Sequence, residues 1–149
     1  MPRFPILLIS ATVLLAARAD ALAPPREESP VPREILEAFG EGSSDEELAR
    51  AIAAADGYPL GTLQNPVRIG GPEGAYAYLA RLRCADGSAP KIGSKSTGEV
   101  GAFGSITEIH PVDCGAVGPG RTDIAIDLYH EGHVENRPPP GFRIIPPQP

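Results

Sequence analysis

The chain has 149 residues, a formal net charge of −6 and no tryptophan, which argues against a protein that binds nucleic acid through a basic surface. Its 17 glycines and 18 prolines fall between apolar runs and form no low-complexity tract, a pattern typical of a turn-rich β fold. Of the 13 basic residues, only Lys91 and Lys95 are lysines. This bias towards arginine is typical of GC-rich bacterial genomes, so we expect a bacterial protein.

Residues 1–23 have the pattern of a secretory signal peptide. The apolar stretch at 4–17 is too short to cross a bilayer as a helix, and Ala21 and Ala23 fit the small-residue cleavage rule. We therefore predict cleavage after Ala23 and export to the periplasm or the cell exterior, without a membrane span after processing. An uncleaved anchor or a buried N-terminal helix is the alternative interpretation.

Residues 24–57 are predicted to form an acidic lead-in and a pair of short helices. The first helix begins at Pro32 and ends at Gly40. The second is capped by Ser44, with Glu47 three residues later to complete a capping box. The excess of acidic residues here would suit a basic protein partner. A solvated outer face on two helices that pack inward is the simpler explanation.

Residues 58–145 are predicted to form a β-rich body in the same compact domain, and 146–149 a disordered tail. Alternating apolar and polar side chains predict two main strands at 75–84 and 106–114, and the cleanest alternation lies at 122–130. The expected fold class is α+β and mostly β, with a small antiparallel sheet or sandwich preceded by two short N-terminal helices.

Cys84 and Cys114 are the only cysteines, and each ends one of the two main predicted strands. An even pair in an exported protein predicts a disulfide. The alternative, a thiol nucleophile assisted by His110 or Asp113, would need a reduced cysteine. A disulfide needs Cα atoms within about 4.4–6.8 Å, so the strands must be direct neighbours or face each other across a sandwich, unless the intervening segment stops short. The glycine-broken segment between them favours the last two arrangements.

His130, His133 and Glu135 are the candidate metal ligands. If residues 131–132 form a two-residue hairpin turn, both imidazoles and the carboxylate project from one face, as a zinc or copper site would require. The alternative is that His130 only covers the rim of the core beside a solvated loop. No other cofactor is predicted.

Charged and aromatic side chains near the first main strand are the candidate binding residues. Arg81 and Arg83 would share one face of that strand, and Tyr76 and Tyr78 the other. The basic residues that could together bind a small anion or an acidic partner are Arg81, Arg83, Lys91 and Lys95. The tyrosines could stack on a sugar. Solvated charges and tyrosines that pack across strands are the simpler interpretation.

Common catalytic and nucleotide-binding motifs do not occur in the sequence. Residues 93–96 lack the Gly-Lys-Ser/Thr order of a phosphate-binding loop, and the glycines within 98–104 do not match the dinucleotide fingerprint. Neither Ser88 nor Ser105 stands in the Gly-x-Ser-x-Gly pattern of a hydrolase nucleophile. No catalytic residue is therefore assigned.

The sequence favours a small exported non-catalytic module, binding or structural, and does not identify its ligand. The first alternative is a metal-binding module or metalloenzyme that uses the hairpin of His130, His133 and Glu135. The second alternative is an inhibitor or another module that binds a protein partner.

Overall fold

The computed structural model describes residues 44–147. The predicted signal peptide, the predicted helix that begins at Pro32 and the last two residues of the predicted tail lie outside this range. The described chain is mixed α+β with mostly strands, and none of its helices is long and apolar enough to cross a membrane. The helices are α1 (Asp45–Ala55) and α2 (Gly71–Arg81). The strands are β1 (Val67–Arg68), β2 (Leu82–Arg83), β3 (Lys91–Ile92), β4 (Ser96–Val100), β5 (Ile106–Asp113), β6 (Arg121–Asp127) and β7 (Arg143–Ile144).

The main sheet is curled and contains five strands, in the order β1-β6-β5-β3, with β4 also paired to β5. Its centre is the antiparallel pair β5–β6, in which His110 lies opposite Ile124. β3 and β4 pair antiparallel with β5, one after the other along its length. β1 pairs parallel with β6, so the sheet is not purely antiparallel as expected. A second, two-stranded sheet pairs β2 with β7.

The strand predicted at 75–84 is wrong, because most of this run lies in α2 and only Leu82–Arg83 is a strand. Pro72 lies in the first turn of α2, where its missing N–H costs no helical hydrogen bond. Glu73 beside it suits the positive end of the helix dipole. The alanines of the run also favour a helix over a strand.

The same run fits both an alternating and a helical pattern, which explains the wrong prediction. Ala75, Tyr78 and Leu79 are spaced as neighbours on one face of a helix, and all three are buried. Tyr76 is 58% exposed, whereas Tyr78 is 1% exposed. The two tyrosines therefore lie on different faces of α2 and do not form the predicted aromatic pair.

The hydrophobic core lies between α2 and one face of the main sheet. Val112, Ile124 and Ile126 supply the sheet side of this core, and Phe142 adds a buried ring from the C-terminal segment. The buried residues of the cluster are Val67, Ile69, Ala75, Tyr78, Leu79, Leu82, Val112, Ile124, Ile126 and Phe142. The buried face of α2 is thus fixed against the sheet, and its opposite face is left to build a surface.

α1 begins with a complete capping box. The Ser44 hydroxyl accepts a hydrogen bond from the Glu47 N–H at 3.3 Å, and the Glu47 carboxylate accepts one from the Ser44 N–H at 2.9 Å. These hydrogen bonds from Ser44 hold the pKa of Glu47 below its ordinary value. Within α1 only Ala55 is fully buried, so this helix contributes little to the core.

Cys84 and Cys114 form a disulfide, with their Cα atoms 5.7 Å apart. Cys84 follows β2 and Cys114 follows β5, so the bond joins the small sheet to the main sheet. The cysteines do not end neighbouring strands, because β2 and β5 belong to different sheets. The segment between them does not stop short either, because β3 reaches the cysteine-bearing end of β5, where Lys91 pairs with Asp113. Since both cysteines are in the bond, neither is available as a nucleophile.

Candidate functional site

A cleft of about 720 Å³ lies between α2 and the chain segments near residues 132–134 and 145–147. This volume is in the range of small-molecule sites. The apolar side chains that line it are Ile69, Ala77, Ala80, Val134, Ile145 and Pro147. The polar ones are Tyr78, Arg81, Arg83 and His133, and within residues 44–147 no aspartate or glutamate lines the cleft.

Arg81, the last residue of α2, joins that helix to the C-terminal segment. Its Nε donates to the Ile145 carbonyl at 2.8 Å, its Nη1 to the Glu135 carbonyl at 3.1 Å and its Nη2 to Asn136 Oδ1 at 2.6 Å. The side chain is 9% exposed, and within residues 44–147 it forms no ion pair with a carboxylate. Within the described chain, neutral oxygens therefore stabilise its buried charge at the cleft wall.

Arg83 lies two residues further along the chain and is half-buried at the cleft. Its Nη1 donates to the carbonyls of Ala80 and Leu82 at 2.8 and 2.6 Å, and both oxygens lie at the end of α2. Its Nε and Nη2 donate to no partner within the described range. These donors are thus available to a bound anion.

His133 brings an imidazole to the opposite side of the cleft. Its N–H donates to the His130 carbonyl at 3.1 Å, which closes the turn that the sequence predicts. Its Nε2 is buried and has no hydrogen-bond partner among residues 44–147. Burial, followed by the charge of Arg68, lowers the pKa of His133, and Glu135 only partly opposes this shift. The ring is therefore neutral at pH 7.

Tyr78 completes the polar lining, with its ring in the core and its hydroxyl donated to the Arg137 carbonyl at 2.9 Å. Burial raises the pKa of Tyr78, so the hydroxyl stays protonated. One cleft therefore brings together three of the predicted binding residues, Arg81, Arg83 and Tyr78. They were predicted on one long strand, but most of that run is helical. The exposed Tyr76 does not line the cleft.

The two lysines of the predicted basic patch lie elsewhere. Lys91 is in β3 and Lys95 follows it, at the edge of the main sheet opposite β1. Lys95 forms an ion pair with Glu108, whose carboxylate also lies 3.1 Å from His110 Nε2. The four basic residues therefore form no single patch, and only the two arginines line the cleft.

The predicted metal ligands are close in the chain but face different partners. His130 Nε2 lies 3.5 Å from Asp127 Oδ2, and its ring packs edge-on against Phe103 with ring centres 5.2 Å apart. His133 Nε2 instead lies 3.7 Å from Glu135 Oε2. Among residues 44–147, no three histidine, cysteine, aspartate or glutamate side chains form a group that could hold a metal ion.

Glu135 is already occupied by Arg137. Its carboxylate accepts hydrogen bonds from the Arg137 N–H at 2.9 Å and from the Arg137 side chain at 3.2 Å. Burial favours a higher pKa for Glu135, but the bonds from Arg137 outweigh it and hold the pKa below its ordinary value. A zinc or copper ion at His130, His133 and Glu135 would have to displace Arg137, so the metal site stays a prediction.

Sequence reasoning missed the part of the cleft that comes from the end of the chain. This part lies in or just before proline-rich segments that have no helical or alternating period. Its lining residues are Val134, Ile145 and Pro147. The one available signal was the apolar pair Ile144–Ile145 between polar and proline residues. The role of Arg81 in holding this segment depends on side-chain contacts across more than fifty residues and has no local signature.

Comparisons with protein-family models, with curated proteins and with solved structures found no match to this chain. The proposed function therefore depends on the chemistry of the cleft.

Proposed function

We propose that this protein is a small exported, non-catalytic binding module and that the cleft beside α2 is its ligand site. The observation that carries the proposal is the cleft itself, which combines apolar walls with a few convergent polar groups. This combination is the usual character of a small-molecule site.

The chemistry of the lining residues supports binding and not catalysis. Among the described residues, no serine, threonine, cysteine, aspartate or glutamate lines the cleft, so the imidazole of His133 has no serine, threonine or cysteine nucleophile there to activate. The Tyr78 hydroxyl is bound to a carbonyl and its pKa is raised, so it is a poor proton donor or acceptor at neutral pH. Arg81 and Arg83 bind and orient anions but do not transfer protons.

The frame around the cleft supports a preformed site in an oxidising compartment. Arg81 joins one wall to the other through three hydrogen bonds, and the disulfide fixes Cys84 close behind Arg83. Disulfides persist mainly in exported proteins, which agrees with the predicted signal peptide. A site held in its bound shape loses less entropy when a ligand enters.

The proposal is tested by filling the cleft. Ala80 is exposed on α2 and lines the cleft, whereas Ala53 is exposed on α1 and lies away from it. We expect the neutral apolar dye Nile red to bind the wild type, with a fluorescence titration that the Ala80→Trp variant loses. The matched variant Ala53→Trp should retain it. Equal binding by both variants would overturn the cleft as the ligand site.

Export is tested separately by mass spectrometry of the protein recovered outside the cytoplasm. We expect a mature chain that begins after Ala23. Recovery of protein that still begins at Met1 would contradict a cleaved signal peptide.

A further inference from the structure

We propose that the ligand is a small amphipathic carboxylate, an apolar body that ends in a single carboxylate group; this inference rests on the proposed function of the cleft. The carboxylate would lie against Arg83 and the exposed edge of Arg81, and the apolar body along the side chains of Ala77, Ala80 and Val134.

Charge distinguishes the cleft from the rest of the protein. The chain carries 19 acidic residues against 13 basic ones, yet the described residues that line the cleft include two arginines and no acid. Two further charged groups act on His133 there: Arg68, which is cationic, and Glu135, whose carboxylate is held by Arg137. The cleft is therefore a basic site in an acidic protein, which suits an anion.

The two arginines offer donors in the geometry that a carboxylate needs. Arg81 uses three of its five N–H groups on neutral oxygens and lacks an ion-pair partner within the described range. The Nε and Nη2 of Arg83 donate to no residue of the described chain. A carboxylate can accept two parallel hydrogen bonds from one guanidinium, and a partly buried position strengthens them.

The apolar side chains of the cleft favour a ligand with an apolar body. Val134 is 57% exposed although it is a large aliphatic residue, and it faces the same cleft as Ile145. Covering these side chains would remove apolar surface from water, and this supplies affinity that a small hydrophilic anion could not gain. The Glu135 carboxylate lies 3.7 Å from His133 Nε2, just behind the cleft wall, so a group with one negative charge suits the cleft better than a phosphate dianion.

The ligand class is tested by displacing Nile red with three matched probes at neutral pH and below micelle-forming concentrations. Decanoate has both features, decanol has only the apolar chain, and acetate has only the carboxylate. We expect decanoate to bind about tenfold more tightly than decanol, since one charge-assisted pair of hydrogen bonds separates them. Acetate should not displace the dye.

Variants then locate the carboxylate. Arg83→Gln should bring the affinity for decanoate down to that for decanol, and Arg83→Lys should recover only part of it. Arg121 is exposed on β6 and does not line the cleft. Arg121→Gln should therefore leave the ratio of the affinities for decanoate and decanol unchanged. An unchanged ratio in a folded Arg83→Gln protein would overturn the proposal.

The remaining outcomes separate this inference from the proposed function. Equal affinities of the wild type for decanoate and decanol, with Nile red still lost in Ala80→Trp, would overturn the carboxylate and leave the cleft as a ligand site. A dimer that Ala80→Trp dissociates would assign the groove to a second copy of the chain. Displacement only by a peptide with an apolar C-terminus would overturn the small-molecule ligand.

Discussion

The cleft and the β3–β4 edge of the main sheet are held together by different contacts. Around the cleft, side chains join distant segments: Arg81 contacts residues more than fifty positions away, and the Tyr78 hydroxyl contacts the Arg137 carbonyl. At the other edge, β3 and β4 are attached to β5 mainly by backbone pairing, and residues 91–97 are all exposed. Within residues 44–147, the cleft thus lies where side chains connect distant segments of the chain.

The difference also explains why exposed apolar residues have different meanings in the two regions. Ile92, Val100 and Ile106 are exposed at this sheet edge, where Val100 lines a smaller cavity of about 430 Å³. Among the described residues, that cavity is lined by Glu99 and by no basic side chain. Val134 is equally exposed but stands at a concave surface with two arginines. Scattered exposed apolar residues are ordinary, whereas an apolar wall with convergent donors indicates a site.

The largest expected effect comes from removing the disulfide beside the cleft. The double variant Cys84→Ala/Cys114→Ala should lose about 3–4 kcal/mol in the free energy of unfolding, because the bond closes a loop of 30 residues. Urea unfolding of the oxidised wild type and of the variant measures it. A loss below about 1 kcal/mol would mean that the cleft region is held without this bond.

Replacing Arg81 should have the next largest effect. Arg81→Met leaves the carbonyls of Ile145 and Glu135 and the amide oxygen of Asn136 without a donor, which should cost about 3 kcal/mol. The same urea experiment measures it, with the exposed Arg121→Met as control at under about 0.5 kcal/mol. Similar losses in both variants would show that Arg81 does not join the two walls.

A change at the β3–β4 edge should lower stability but spare the cleft. A Cβ at Gly98 would meet the Thr107 hydroxyl and would lie 2.9 Å from the Ile109 side chain, so Gly98→Ala should cost about 1–3 kcal/mol. Gly57, whose added Cβ would make only an ordinary contact, provides the matched control. Nile red affinity of the folded Gly98→Ala protein should equal that of the wild type. A loss of dye binding would show that the β3–β4 edge and the cleft are coupled.

The smallest effect concerns the pH dependence of stability. The folded-state pKa of His133 lies below its ordinary value of 6.5, so the unfolded chain binds the proton more readily. The contribution of His133 is therefore complete above pH 6.5, begins to be lost below that value and disappears as pH falls through the lower pKa of the folded state. The lowered pKa of Glu135 adds a separate loss that begins only below about pH 4.5. Urea midpoints between pH 7.5 and 5 should fall less in His133→Gln than in the wild type, and equal slopes would contradict this.

The predictability of this fold from its sequence depended on how local each signal was. The capping box of Ser44 and Glu47 and the run of β6 are fixed by neighbouring residues and could be predicted. α2 could not, because its alanines and tyrosines satisfy two periods at once and packing against the sheet selects the helix. Parallel pairing of β1 with β6 joins residues almost sixty positions apart and has no sequence signature.

The candidate site was predicted only in pieces. Arg81 and Arg83 were selected from one face of a predicted strand and Tyr78 from the other, yet all three line the same cleft at the end of α2. His133 was selected as a metal ligand, which stays a prediction, and the structure places it on the cleft wall. The type of side chain was therefore informative, whereas the grouping required the tertiary fold.

The most direct test of the binding account is an amide NMR titration of the full mature protein with decanoate. The account predicts that chemical shifts change for Ala77, Ala80, Arg83 and Val134, and that those of the β3–β4 edge at 91–100 stay constant. Saturable changes confined to that edge would contradict the cleft as the ligand site of this protein. The absence of any saturable change at α2 would contradict an amphipathic carboxylate as its ligand.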